Sequence, residues 1–227
     1  MTAPSLRILY KKLDLETAHS VSSVETRTGL ARRRALRQQQ LEAGRALAVQ
    51  ALAEMALDTS HTLLRVGERW TIEGPSPCWL SVSHSGPWVV CALSQQGPIG
   101  IDIEAHNRPL RELKSWSDHL DNQLYAALEA LDEDLRPPML IACWTLLEAL
   151  GKLRQTPLLQ SASYPLVNET GALVLADWSA THRCYGRALA DTHLLSIVAP
   201  TLAEEEQTQL ALQALRTLDD LRALLEG

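Results

Sequence analysis

Two acidic residues stand one residue apart at the end of an apolar stretch. I-G-I-D-I-E (99–104) closes on Asp102 and Glu104. Side chains alternate from face to face along a strand, so these two share one face while Ile101 and Ile103 share the other. Neighbouring carboxylates repel, and a divalent cation with oxygen ligands is the simplest positive charge to set between them. A third carboxylate, Glu148, lies in P-M-L-I-A-C-W-T-L-L-E-A-L-G-K-L (138–153), where apolar residues surround it on nearly every side of a helix. A buried carboxylate needs a partner. Lys152, four residues on, is one, and a plain Glu148–Lys152 helix ion pair would also explain the two residues.

Upstream, W-L-S-V-S-H-S-G (79–86) reads as a half-buried strand running into a turn formed by Ser83, His84, Ser85 and Gly86. Hydroxyls, an imidazole and backbone N–H groups in a tight turn suit a phosphate, although such serines also satisfy their own backbone. Between Arg27 and Arg45 there are six arginines and one acid, Glu42: a local charge of +5 on a chain of net charge −6. That contrast points to a local anion such as a phosphate-bearing ligand, with no nucleic acid as partner. A solvated helix face would carry the same arginines. Arg37 and Arg45 are a little over two helical turns apart and project from roughly one side.

Other elements must hold these groups in place. Residues 6–10 suit a first strand, and 30–57 a long helix, with Leu36, Leu41, Leu47, Leu52 and Met55 near helical spacing. Asp58-Thr59-Ser60 is expected to end it, and 65–78, rich in Gly and Pro, to form an extended arm. W-V-V-C-A-L (88–93) is apolar throughout, as a central strand would be. Helical segments follow at 109–116, 119–134 and 138–153, the last opened by Pro137 and Pro138. Strands are expected at 172–176, 182–189 and 193–199. From Thr201 onward the pattern is one helix, with T-L-A-E as a capping box. The order, a long helix with three strands, occurs twice. The expected fold is therefore α+β, with two pseudo-symmetric halves, each a long helix on a small antiparallel sheet. The halves are set at 1–105 and 106–200, followed by a C-terminal helix at 201–227.

Composition narrows the class. The 227 residues are 46% hydrophobic and 21% charged, ordinary values for a globular protein. No run of about 18 apolar residues suggests a membrane span, and the N-terminus lacks an apolar signal core, so a cytoplasmic protein is expected. Cys78, Cys91, Cys143 and Cys184 are widely spaced and expected to be free thiols. With no Phe in the chain, Leu, Trp and Ala must build the core.

Four segments in one order carry a resemblance: R-Q-Q-Q-L-E-A-G-R (37–45), S-V-S-H-S (81–85), G-I-D-I-E (100–104) and W-T-L-L-E-A-L-G-K-L (144–153). Together they resemble the single-chain 4′-phosphopantetheinyl transferases, the Sfp-like and enterobactin-synthetase-like group, over roughly residues 30 to 155. The resemblance implies a Mg²⁺ ion held by Asp102, Glu104 and Glu148. It implies coenzyme A as co-substrate, contacted by Arg37, Arg45, Ser83, His84 and Lys152. Glu148 and Lys152 would be the catalytic residues. The implied reaction moves the phosphopantetheine arm from coenzyme A to a serine of an apo acyl or peptidyl carrier protein and releases 3′,5′-ADP. Arg108, Arg111 and Lys114, with Trp116, are candidates for meeting the acidic carrier. A monomer would suffice, since one chain carries both halves.

The chain departs from the family pattern at Leu147, where the motif has a lysine just before its glutamate. That lysine is assigned there as a general base or a substrate-orienting cation. Here Glu148 or a water would take over as base, or another basic residue would reach in, or the protein would bind coenzyme A or carrier without turnover. With the site otherwise intact, Leu147→Lys is expected to leave activity equal or higher.

Overall fold

The computed structural model describes residues 5–14, 28–67, 69–107, 120–155, 166–168, 172–173, 180–189 and 192–226. It is mixed α+β with small antiparallel sheets. Its contacts divide the chain into two units, Met1–Gln95 and Gln96–Gly227.

In the first unit, β5 (Trp88–Ser94) is buried along its whole length, as its unbroken apolar run requires. It lies between β1 (Leu6–Lys12) and β4 (Trp79–Ser85), both antiparallel to it. Helix α1 (Thr28–Glu54) packs on this sheet through Ala43, Leu47 and Ala48 against Val89 and Cys91, and through Ala51 and Leu52 against Leu93. Gly44 brings the helix close: a Cβ there would lie 3.1 Å from a Val82 methyl. The helix ends four residues before Asp58. Ala56 adopts a left-handed φ of 55°, the Leu57 N–H bonds back to the Leu52 carbonyl at 2.8 Å, and the Ala56 N–H to that of Ala53 at 3.0 Å. The expected arm at 65–78 is instead largely a hairpin, β2 (Thr62–Val66) with β3 (Arg69–Glu73).

In the second unit the sheet order is β6 (Gly100–Ala105), β8 (His193–Pro200), β7 (His182–Leu189) and β9 (Gln213–Leu215), antiparallel throughout. Helices α2 (Asn122–Glu129) and α3 (Arg136–Arg154) precede β7, with Pro137 and Pro138 in the first turn of α3. Residues of α3, among them Cys143, Leu146 and Leu150, share a core with Leu194, Val198 and Cys184 of the sheet. The four thiols are free, and burial pushes Cys91, Cys143 and Cys184 up to about 12.

Three expectations change here. The acidic strand β6, expected within the half at 1–105, pairs with β8 and belongs to the second unit. The segment after Thr201 is not one helix. It forms α4 (Glu204–Gln209), then β9, then α5 (Leu218–Glu226). Ala203, not Thr201, caps α4, and Glu206 Oε2 accepts from its backbone N–H at 3.2 Å. The Asn122–Glu129 helix is shorter than the 119–134 expectation, and the 109–116 helix lies outside the described residues. Of 172–176, residues 172 and 173 are described and make isolated bridges.

Candidate functional site

Asp102 and Glu104 sit on the face of β6 that meets α3. Gly100, two residues earlier on that face, shows how tightly: a Cβ there would fall 1.8 Å from the Ala149 carbonyl oxygen and 2.8 Å from the Leu153 nitrogen. A strand that starts with Gly lets the helix backbone rest directly on it. That contact brings Lys152 over the strand. Its Nζ donates to Asp102 Oδ1 at 2.7 Å and to the Ile101 carbonyl at 3.1 Å. The ion pair of Lys152 is thus made across the fold with Asp102, not along the helix with Glu148 as sequence spacing allowed. Asp102 is only 5% exposed, so its charge is screened little by water and the lysine is its natural compensation.

Glu148 is half-buried one turn before Lys152. Burial pushes its carboxyl up from the ordinary value, and the charges of Asp102 and Glu104 push the same way, while Lys152 pulls it partly back. The three acids therefore feel one another. Yet among the described residues no three His, Cys, Asp or Glu side chains lie close enough together to hold a metal ion. The donors are all oxygens, as Mg²⁺ requires, and the Lys152 ammonium sits on the carboxylate that would hold it.

Leu147 does not face this group. It is 4% exposed and packed in the core under α3. Sequence reading also missed Ser196. It is the cross-strand neighbour of Asp102, fully buried, and its hydroxyl has no hydrogen-bond partner among the described residues. The register of β6 on β8, which places it there, has no local signal. At the other end of α3, His106, Asn107, Pro137, Pro138, Met139 and Leu225 line a largely apolar cavity of about 360 Å³.

The remaining candidates lie in the first unit. Ser83, His84 and Ser85 are not in a turn; they are the last residues of β4, with Ser85 paired to Trp88. Strand alternation sets His84 on one face with Leu80 and Val82, the face that packs on α1, and Ser83 on the other. Ser83 is 6% exposed. Arg37 Nη1 donates to His84 Nε2. Arg45 is exposed on α1, eight residues and a little over two turns beyond Arg37. The carrier-facing candidates Arg108, Arg111, Lys114 and Trp116 lie outside the described residues.

Among the described residues, no helix is long and apolar enough to cross a membrane. Compared with models of known protein families, the sequence matches none. Compared with curated proteins, it matches none either.

Proposed function

We propose that this chain is a 4′-phosphopantetheinyl transferase. It moves the arm of coenzyme A onto a serine of an apo acyl or peptidyl carrier protein and releases 3′,5′-ADP. The observation that carries this reading is the contact of β6 with α3, which sets the face bearing Asp102 and Glu104 against the helix that bears Glu148 and brings Lys152 onto Asp102. In the reading, Asp102, Glu104 and Glu148 are the residues that would hold Mg²⁺, and the ion would supply charge neutralisation at the pyrophosphate. Arg37, Arg45, Ser83 and His84 are assigned to coenzyme A, and the Arg37–His84 pair supports this as a ready donor for a phosphate. Glu148 is assigned to take the serine proton. Lys152 balances charge developing on the phosphates. We also read the units as pseudo-equivalent halves, since α1 lies on one antiparallel sheet and α3 on another. A monomer in the cytoplasm suits this reading.

The test is mass spectrometry of several apo carrier proteins incubated with the protein, coenzyme A and Mg²⁺. A carrier heavier by one phosphopantetheine arm is expected, and Asp102→Ala should abolish the gain. No gain on any carrier would sink the proposal.

A second reading rests on the Lys152–Asp102 ion pair and on the burial of Leu147: a relative that binds coenzyme A or carrier without turnover. Calorimetry that finds coenzyme A binding, together with no mass gain, would select it.

A further inference from the structure

Helix α1 buries a face made of Ala43, Gly44, Leu47, Ala48, Ala51 and Leu52, and at the start of that face Gln40 is 6% exposed, beside a half-buried Gln39. The Gln40 Nε2 donates to the Gly86 carbonyl at 2.9 Å. Gly86 is in the two-residue turn between β4 and β5, at a left-handed φ of 52°. On the far side of the same turn the Leu13 N–H bonds to the Pro87 carbonyl at 2.8 Å. His84 stands two residues before Gly86, and Arg37 stands one helical turn before Gln40. The amide therefore ties the helix to the hairpin at the point where the arginine meets the imidazole.

Gly44 and the apolar neighbours of Gln40 set the depth of packing. A shift of α1 along the sheet would in addition strand a buried amide and a carbonyl. A single buried polar group is a known device for fixing register. We infer that Gln40 is a positioning residue that sets α1 on the β4–β5 hairpin so that Arg37 meets His84. For coenzyme A the inference rests on the proposed function; for the Arg37–His84 pair it stands by itself.

The experiment follows the His84 ring signals by ¹⁵N-edited NMR in the full chain, with Arg37→Ala as the reference for loss of the contact. In Gln40→Met, which keeps the volume and removes the donor, the His84 signals should move to their Arg37→Ala positions. Coenzyme A affinity, read by calorimetry, should weaken about tenfold, the scale of one charge-positioning hydrogen bond. Should Gln40→Met melt early, Gln40→Glu keeps the shape, lacks the N–H donor and should show the same shift. His84 signals that stay at their wild-type positions in a folded Gln40 variant overturn the inference. If the wild-type protein does not bind coenzyme A, the proposed function falls, while the His84 signals still decide the role of Gln40.

Discussion

Leu147 occupies the place where the motif of the proposed transferase function would carry a lysine, and its surroundings decide what a lysine could do there. The side chain is packed among Leu146, Leu150 and the sheet core. An ammonium in that position would be taken out of water. Leu147→Lys, expected from sequence to leave activity equal or higher, should instead lower stability by about 2–5 kcal/mol, as large core disruptions do. Chemical denaturation measures it, and an unchanged midpoint would show that the position opens to solvent. Lys152 is the opposite case. Removing it takes an ammonium away from a buried carboxylate, so Lys152→Met should cost about 3 kcal/mol. Adding Asp102→Asn to Lys152→Met should return most of that loss, and a double-mutant cycle reads the coupling directly.

The α3–β6 contact depends on the missing side chain at Gly100. A methyl there collides with backbone rather than with a side chain that can swing away. Gly100→Ala should destabilise the second unit by about 3 kcal/mol or more, at the upper end of overpacking costs. It should also separate Lys152 from Asp102. A thermal melt close to wild type would show that α3 can lift from the strand at little cost. The entry to β6 is held by His182, 4% exposed, whose Nδ1 meets the Thr181 hydroxyl and whose Nε2 meets the Pro98 carbonyl at 3.0 Å. Burial lowers its proton affinity below the ordinary value. A base so depressed contributes stability that is full above the ordinary histidine range and is lost as pH falls through its folded value. Urea midpoints should therefore fall as pH drops below about 6.5. In His182→Gln, which can still donate to Pro98, that fall should be shallower; equal slopes would exclude His182 as the source.

Over the whole molecule, the C-terminal segment is part of a core rather than an added helix. Leu215 and Leu221 are buried in the core that α3 shares with the sheet, and β9 pairs with β7. Truncation after Pro200 would expose that core and the β7 edge, so it should abolish cooperative unfolding of the second unit by circular dichroism. A truncated chain that melts with the native cooperativity would assign the segment to a partner instead.

Much of this was legible in the order of residues. The apolar run of β5, the alternation in β4, the two prolines opening α3 and the paired acids of β6 each follow from local periodicity, because burial on one or both faces leaves a period in the chain. Helix ends were less legible for a specific reason. Among the described residues, the left-handed positions outside glycine are Ala56, Gln155 and Ala211, and each closes a helix where a glycine would have announced the stop. Without one at residue 211, the pattern after Thr201 runs on as a single helix. The strand partner of β6, the choice of Asp102 over Glu148 by Lys152, and the inward turn of Leu147 had no local signal. They depend on register and close approach between segments distant in the chain. By itself the sequence determined which acids, arginines and hydroxyls are present and on which face of their own elements they stand. The tertiary structure alone decided which charge compensates which, because only the approach of α3 to β6 at Gly100 brings an ammonium within 2.7 Å of a buried carboxylate.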